Sequence, residues 1–228
     1  MVGQLVCARE KGRGREERLA LEPLAVLRRT VYAPEGLAPW RLARRLRKAE
    51  RALVRAGVTQ VVLGRDFPYG DRLTTLRPVD TLPLRRAFAD VLALGALKAE
   101  GVSPRLGRVA LSAPRLCPEL ERAAQRLCPL VRGLVIDAPG GADYARYLHA
   151  EYGLPVSPPA SGAQVTVCFA AGGGRWGRVV ELYPGGSLGG LALRAEGVAL
   201  PEGCEEQVLA LLWERGALAW DKICCCAY

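Results

Sequence analysis

Residues 109–137 decide the fold, and they read VALSAPRLCPELERAAQRLCPLVRGLVID. Short apolar runs stand at both ends, at 109–111 and 134–136. Between them, four apolar residues recur at helical spacing: Leu116, Leu120, Ala124 and Leu127. A strand, a helix and a second strand within roughly 30 residues are typical of a βαβ crossover. Because such crossovers join parallel strands, the segment predicts a parallel sheet with helices on its faces.

The same rhythm extends in both directions along the chain. Further apolar runs lie at 61–63 and 165–169, with helix-like stretches between the runs. Pro39 suits the first position of a helix and Gly57 suits its end. We predict that the strands at 61, 109, 134 and 165 lie side by side and point the same way in one sheet.

Hairpins are expected at both ends of this core. Apolar runs at 4–8 and 19–31 flank the charged stretch 11–18, which predicts an N-terminal hairpin. Runs at 165–169 and 178–182 flank a glycine-rich turn. Because that turn is short, it predicts an antiparallel pair.

The predicted fold class is therefore α/β, with a mainly parallel, Rossmann-like sheet, helical crossovers and flanking hairpins. The sequence predicts one domain over residues 1–228. Residues 1–35 form its N-terminal hairpin extension and 36–170 its βαβ core. Residues 171–228 supply a C-terminal hairpin, a helix and a strand.

The positive charge is concentrated near the N-terminus. The net charge is +9, and residues 1–57 hold 14 basic and 6 acidic residues, a net charge of +8. Only four of the 32 basic residues are lysine. The arginine excess reflects either a function or a GC-rich genome.

Cysteine usage and hydropathy restrict the class of protein. The eight cysteines include no C-x-x-C pair, and His149 is the only histidine, so no metal site is expected. The longest uncharged apolar stretch, 91–97, is far short of a membrane span. The N-terminus does not resemble a signal peptide, so the expected location is cytoplasmic.

Candidate ligand residues follow from a rule for parallel sheets, in which ligands bind outside the carboxyl ends of the strands. Ser112 ends one strand, and Asp137 opens the loop DAPGGAD before a helix. Backbone amides near Gly140 and Gly141 suit an anion, and the carboxylate suits a ribose hydroxyl. The alternative is that these glycines only form a turn. No strand is followed by the glycine fingerprint GxGxxG of dinucleotide-binding domains.

The segment GGGRWG at 172–177 is a second candidate. Gly173 and its neighbours suit a phosphate, Arg175 a counter-charge and Trp176 a stacking surface. The segment precedes a strand rather than a helix, so the alternative is a hairpin turn with Trp176 on the core.

The cysteines give weaker signals. Cys117 precedes Pro118, and an N-cap thiol there is favoured as a thiolate. A structural cysteine is the alternative, since no base is evident beside it. In a strand, Cys224 and Cys226 share one face and Cys225 takes the other, which is a poor metal signal.

The helix after Pro39 carries a basic face that suits a phosphate backbone. Its six cations are Arg41, Arg44, Arg45, Lys48, Arg51 and Arg55. The alternative is a solvated surface partly paired with Glu35 and Glu50.

Three functions remain open at this point. The first is a non-catalytic or regulatory α/β protein with a vestigial crevice for a nucleotide or another anionic ligand. The second is a diverged nucleotide-utilising Rossmann-like enzyme, favoured by a deep pocket that joins the loops at Ser112, Asp137 and Gly172. The third is a nucleic-acid-associated protein that uses the basic helix. No cofactor follows from the sequence, and an exposed sheet edge allows a homo-oligomer.

Overall fold

The computed structural model describes residues 1–12, 14–21, 24–153, 156–157, 161–198 and 200–227. In chain order the strands are β1 Val2–Ala8, β2 Glu16–Leu21, β3 Leu24–Tyr32, β4 Gln60–Leu63, β5 Arg77–Pro78, β6 Arg108–Ser112, β7 Gly133–Asp137, β8 Val156–Ser157, β9 Val165–Cys168, β10 Arg178–Glu181, β11 Leu191–Ala195 and β12 Ile223–Ala227. The helices are α1 Pro39–Arg55, α2 Leu82–Ala87, α3 Ala89–Ala99, α4 Pro118–Leu127, α5 Gly141–Tyr152 and α6 Glu205–Glu214. Within this described part, every helix is too short or too polar to cross a bilayer.

The chain divides into two compact units. The first comprises Met1–Thr81 with Gly197–Lys222, and the second comprises Leu82–Glu196 with the segment that begins at Ile223. Each unit contains one five-stranded sheet with helices, which gives the mixed α/β class predicted from the sequence. The single domain expected over residues 1–228 stays a prediction.

The first unit contains the sheet β2-β3-β1-β4-β5. Strand β1 pairs in parallel with both β3 and β4, so the hairpin expected between 4–8 and 19–31 is wrong. The antiparallel pair is β2 with β3, and both strands belong to the N-terminal third of the unit. The chain reverses once before β2 and once after it, which returns β3 to the direction of β1.

Helix α1 has the bounds predicted from Pro39 and Gly57. Leu42, Leu46 and Leu53 are buried against the first sheet, while the arginines lie outside. Gly57 follows the helix with a φ of 78°, a backbone conformation that favours glycine.

The second unit contains the sheet β10-β9-β6-β7-β8, in which every pair is parallel. The predicted neighbours at 109, 134 and 165 are confirmed as β6, β7 and β9. Val109, Leu111 and Leu134 are fully buried, as expected for central strands covered on both faces. The strand at 61 is β4 and belongs to the other sheet, so the single sheet predicted from the rhythm is wrong.

The pairing of β9 with β10 corrects a second expectation. The two strands run parallel, with Val165 opposite Arg178, rather than forming the predicted C-terminal hairpin. Each strand has four residues and is only ~13 Å long. The connection 169–177 is therefore long enough to return to the start of the strand without a helix.

The remaining elements of the second unit complete its layers. Helix α3 packs against β9 and also against the antiparallel pair β11 and β12. Helix α4 begins at Pro118 with Cys117 as its N-cap residue, as the sequence predicted. No side-chain hydrogen bond from Cys117 caps the helix.

Candidate ligand site

The exits of β6, β7 and β9 enclose a cavity of about 1040 Å³ in the second unit. Its wall comes from three loops, at 112–114, 136–139 and 170–174, and from the first three turns of α5. Most of the lining side chains are alanine, proline or glycine, while Ser112, Asp137, Arg146 and His149 are polar. The cavity lies at the ends of the neighbouring strands β6 and β9. From β6 the chain continues to β7 in one direction along the sheet, and from β9 it continues to β10 in the other.

A hydrogen-bonded cluster joins the three loops. The Ser112 hydroxyl donates to Oδ2 of Asp137 at 2.8 Å, and the Gly174 amide donates to the same oxygen at 2.9 Å. Ser112 is 1% exposed, so this hydroxyl is shielded from water. The other carboxylate oxygen, Oδ1, receives no hydrogen bond from the described residues and keeps its acceptor capacity. The cluster therefore fixes Asp137 through one oxygen and leaves the second available to a ligand.

Glycines are required where the third loop packs on this cluster. A Cβ atom at Gly173 would lie 1.9 Å from the Ser112 hydroxyl oxygen. A Cβ atom at Gly174 would lie 2.9 Å from Oδ2 of Asp137. Both distances are shorter than van der Waals contact, so the loop reaches the cluster only because these side chains are absent.

The start of α5 is the second built feature of the wall. Gly140, its N-cap residue, has a φ of 78°, in the left-handed region that favours glycine. Gly141 is buried, and a Cβ atom there would lie 2.8 Å from the carbonyl oxygen of Ile136. This close packing brings the amide end of a 12-residue helix to the cavity, where the helix dipole favours an anion.

The predicted ligand residues divide into two groups. Ser112, Asp137, Gly141 and Gly173 line the cavity, and Gly140 caps the helix beside it.

Arg175 and Trp176 are absent from the cavity wall. Arg175 lies 2.9 Å from Glu181 and 3.1 Å from the Tyr183 hydroxyl. The backbone of Trp176 bonds to Thr166.

Sequence reasoning missed two side chains of the wall. Arg146 and His149 line the cavity from the same face of α5 as Ala142 and Ala145. Their spacing of three and four residues was the available signal. It was obscured because Tyr144, Leu148 and Tyr152 form a more apolar stripe on the same helix.

The cysteines do not contribute to the cavity wall. Burial raises the pKa of the Cys168 thiol, with the charge of Arg175 opposing that effect. Among the described residues, no group of three or more His, Cys, Asp or Glu side chains is placed to hold a metal ion.

The basic helix forms a different surface in the first unit. Four of its six predicted cations, Arg44, Lys48, Arg51 and Arg55, line a groove of about 620 Å³. The other two have different contacts. Arg45 donates to the carbonyl oxygen of Tyr32, and the Arg41 guanidinium lies 5.0 Å from the centre of the Trp40 ring.

Comparison with known protein families matches no family model to this chain, and comparison with curated protein sequences finds no significant relative.

Proposed function

We propose that the second unit is a Rossmann-like domain that binds a small anionic ligand of the nucleotide class in the cavity beside Asp137. The observation that carries this proposal is the position of the cavity. Numbered from β6 to β10, the strands of the sheet lie in the order 3-2-1-4-5. That order matches the dinucleotide-binding arrangement, in which ligands occupy the crevice where the strand order reverses. The cavity lies at that reversal.

The size and lining of the cavity support a small organic ligand. Its volume of about 1040 Å³ is at the upper end of typical ligand pockets. Alanine and proline side chains from three loops offer apolar surface to a planar ring. Oδ1 of Asp137 is an acceptor for a hydroxyl group, such as that of a ribose.

The anionic group of the ligand belongs at the start of α5 rather than α4. Helix α4 carries Glu119 and Glu121 in its first turn, which repel an anion. Helix α5 opens with two glycines, and its acidic residue Asp143 is paired with Arg146. The exit of β6 lacks glycine, so the phosphate position differs from that of dinucleotide-binding domains.

The proposed role is binding, in a non-catalytic or regulatory protein. Ser112 is buried and its hydroxyl donates directly to a carboxylate, with no imidazole between them. A serine nucleophile must reach the substrate, and it needs a neighbouring base that accepts its hydroxyl proton. A diverged nucleotide-utilising enzyme is the second candidate, and the position of His149 in the wall favours it.

A thermal-shift screen of the full chain tests the proposal. The panel comprises nucleoside phosphates, dinucleotides and S-adenosylmethionine. A ligand present at 100 times its dissociation constant stabilises by ~2.7 kcal/mol, which raises Tm by roughly 5–11 °C in a chain of this size. Assay of each stabilising ligand for turnover then separates the binding role from the enzymatic one.

Paired variants of α5 locate the ligand. Ala142 lines the cavity, whereas Ala150 is exposed on the same helix outside it. We expect Ala142→Phe to abolish the ligand-induced shift and Ala150→Phe to keep it. A flat response of the unmodified chain to the whole panel, or equal shifts in both variants, would contradict the proposal.

A further inference from the structure

The groove on α1 contains two cations that the helix face predicted from the sequence did not include. Arg47 joins the four cations already placed there, and Arg29 of β3 adds a sixth. Trp40 lies at one end of the same groove. We call this surface the basic groove, and it belongs entirely to the first unit.

The five groove cations of α1 have no acidic partners within the described residues. No ion pair there involves Arg44, Arg47, Lys48, Arg51 or Arg55. Arg29, the sixth cation, is paired with Glu16. The groove therefore has a concentrated positive potential that mobile anions must balance.

Glu50, expected to neutralise part of this face, has a different role. It is 1% exposed and accepts the backbone amides of Thr74, Thr75 and Leu76 at 2.9–3.1 Å. Its charge is thus directed toward that loop, on the buried side of α1.

The cations form one row along the helix. Arg44, Lys48, Arg51 and Arg55 recur at spacings of four, three and four residues, so their side chains share one face. From Arg44 to Arg55 the row is ~16 Å long at the helical rise. At ~3.4 Å per nucleotide of a stacked strand, this length corresponds to about five nucleotides. Like charges at such spacings destabilise a helix, and a bound polyanion relieves that repulsion.

Trp40 adds an aromatic surface to the row. Its side chain is 62% exposed, although large aromatic residues usually bury most of their surface. Any nucleic-acid base can stack on such a ring, so this contact does not depend on the nucleotide sequence. A row of cations with an aromatic platform at one end is the combination that single-stranded nucleic acids require.

A membrane surface fits the groove poorly. Binding to a bilayer needs an apolar stripe on the exposed side of an amphipathic helix. The apolar stripe of α1, with Leu42, Leu46 and Leu53, is buried in the core of the first unit. Apart from Trp40, the apolar side chains that line the groove within the described part of the chain are those of Ala43 and Ala52.

We infer that the basic groove binds single-stranded nucleic acid, with the phosphates along the row of cations on α1 and a base stacked on Trp40. The groove shares no lining residue with the ligand cavity, so a negative result at one site leaves the proposal for the other unaffected. We expect this binding to show little sequence preference and to depend strongly on the salt concentration.

Fluorescence anisotropy of the full chain with labelled oligonucleotides of about ten nucleotides tests this inference. The charge variant is Arg44→Glu with Arg51→Glu. We expect it to lose about tenfold or more in affinity and to flatten the log–log salt slope by about 1.4, since each phosphate contact contributes ~0.7 for single strands. The matched control is Arg105→Glu with Arg132→Glu, two exposed arginines of the second unit that give the same change in net charge. We expect the control pair to keep its affinity within about threefold.

Substitution of Trp40 tests stacking separately from charge. We expect Trp40→Ala to weaken single-strand binding by about fivefold or more, and Trp40→Phe to restore most of it. Binding to a duplex of the same length should not respond to Trp40→Ala, because its bases are already stacked. Circular dichroism checks that each variant is folded, and Trp40→Leu replaces the alanine variant if that one unfolds.

Several results would overturn the inference. They are unchanged affinity in the charge variant, an equal loss in the control pair, or no effect of Trp40→Ala on single strands. Tighter binding to vesicles that contain phosphatidylserine than to the oligonucleotide would assign the groove to a membrane instead.

Discussion

The two five-stranded sheets differ in what lies at the carboxyl ends of their strands. In the first unit, Phe67 and Tyr69 follow β4 and fill its exit, with ring centres 5.9 Å apart in an edge-on arrangement. Gln207 of α6 also bonds to both the amide and the carbonyl of Leu63 at the end of β4. In the second unit, the residues that line the cavity at the exits of β6, β7 and β9 are mostly alanine, proline and glycine. Bulky side chains therefore fill the exit of β4 in the first sheet, whereas small lining residues leave a cavity in the second.

The two units also treat buried carboxylates differently. Glu50 of the first unit accepts hydrogen bonds from three amides and from the Thr74 hydroxyl. Asp90 of the second unit is 7% exposed and lies 3.9 Å from Arg126, and its Oδ1 has no hydrogen bond within the described residues. Burial raises the pKa of Asp90, with the charge of Arg126 opposing that effect. The first carboxylate is therefore satisfied by hydrogen bonds, whereas burial disfavours the charged form of the second.

The largest expected effect concerns Glu50. Replacing it by alanine leaves three amides without their acceptor, which should cost about 3 kcal/mol or more. Glu50→Gln keeps an oxygen in the place of Oε1, which accepts all three amides, and should cost less. Urea denaturation of both variants measures the difference. Equal losses would contradict the view that amide acceptance, rather than charge, holds the 74–76 loop.

Gly141 should show the next largest effect. A methyl group there meets the Ile136 carbonyl at 2.8 Å, so Gly141→Ala should destabilise the second unit by about 2 kcal/mol through overpacking. The matched control is Gly14→Ala, where the nearest atom would lie 3.8 Å away. Thermal unfolding compares the two, and a neutral Gly141→Ala would refute the close packing of α5 on β7.

Ser112 tests the cluster beneath the cavity. Ser112→Ala removes one of the two donors to Asp137 and should cost about 1 kcal/mol. The remaining donor, the Gly174 amide, should exchange faster with deuterium because its loop is held less firmly. Ser103→Ala, at an exposed serine, is the control. Unchanged exchange at Gly174 would show that the glycine loop holds its position without the hydroxyl.

The smallest effect is the pH dependence from Asp90. Its pKa is raised on folding, so the folded state binds more protons than the unfolded state between the two pKa values. Stability from this residue is therefore present below the unfolded value, near 3.9, and falls as the pH rises through the folded value. The free energy of unfolding of Asp90→Asn should therefore rise relative to that of the unmodified chain as the pH rises from acid. Asp221→Asn, at an exposed site, is the control. A constant difference across the acid range, measured by thermal unfolding, would contradict this assignment.

The sequence predicted the centre of the second sheet because the signals there are local. The apolar runs of β6, β7 and β9 are buried on both faces, and helices of suitable length connect β6 to β7 and β7 to β8. The carboxyl-edge rule also selects four loops, at 64–69, 112–117, 137–143 and 170–177. The last three contribute to the cavity wall, whereas the loop at 64–69 follows β4 in the other sheet and does not.

The sequence could not predict which strands are neighbours over longer distances. An apolar run predicts that a strand is buried, but it does not predict which strand lies beside it. The sequence therefore grouped β4 with β6, although the two lie in different sheets. The direction of β10 depended on the reach of a glycine loop relative to a very short strand. Arg29 joined the basic groove through the pairing of β3 with β1, which no helical periodicity reveals.

The run of three cysteines in β12 has a practical consequence for chemical labelling. Cys225 faces α3, where its sulfur occupies the space that a side chain at Gly95 would need. Burial, reinforced by the neighbouring thiols, raises the pKa of Cys225 to about 11. Cys226, one residue further on, is exposed. Alkylating reagents react with thiolates, so a maleimide dye near neutral pH should attach to Cys226 well before Cys225 and give a reporter on the edge strand of the small sheet.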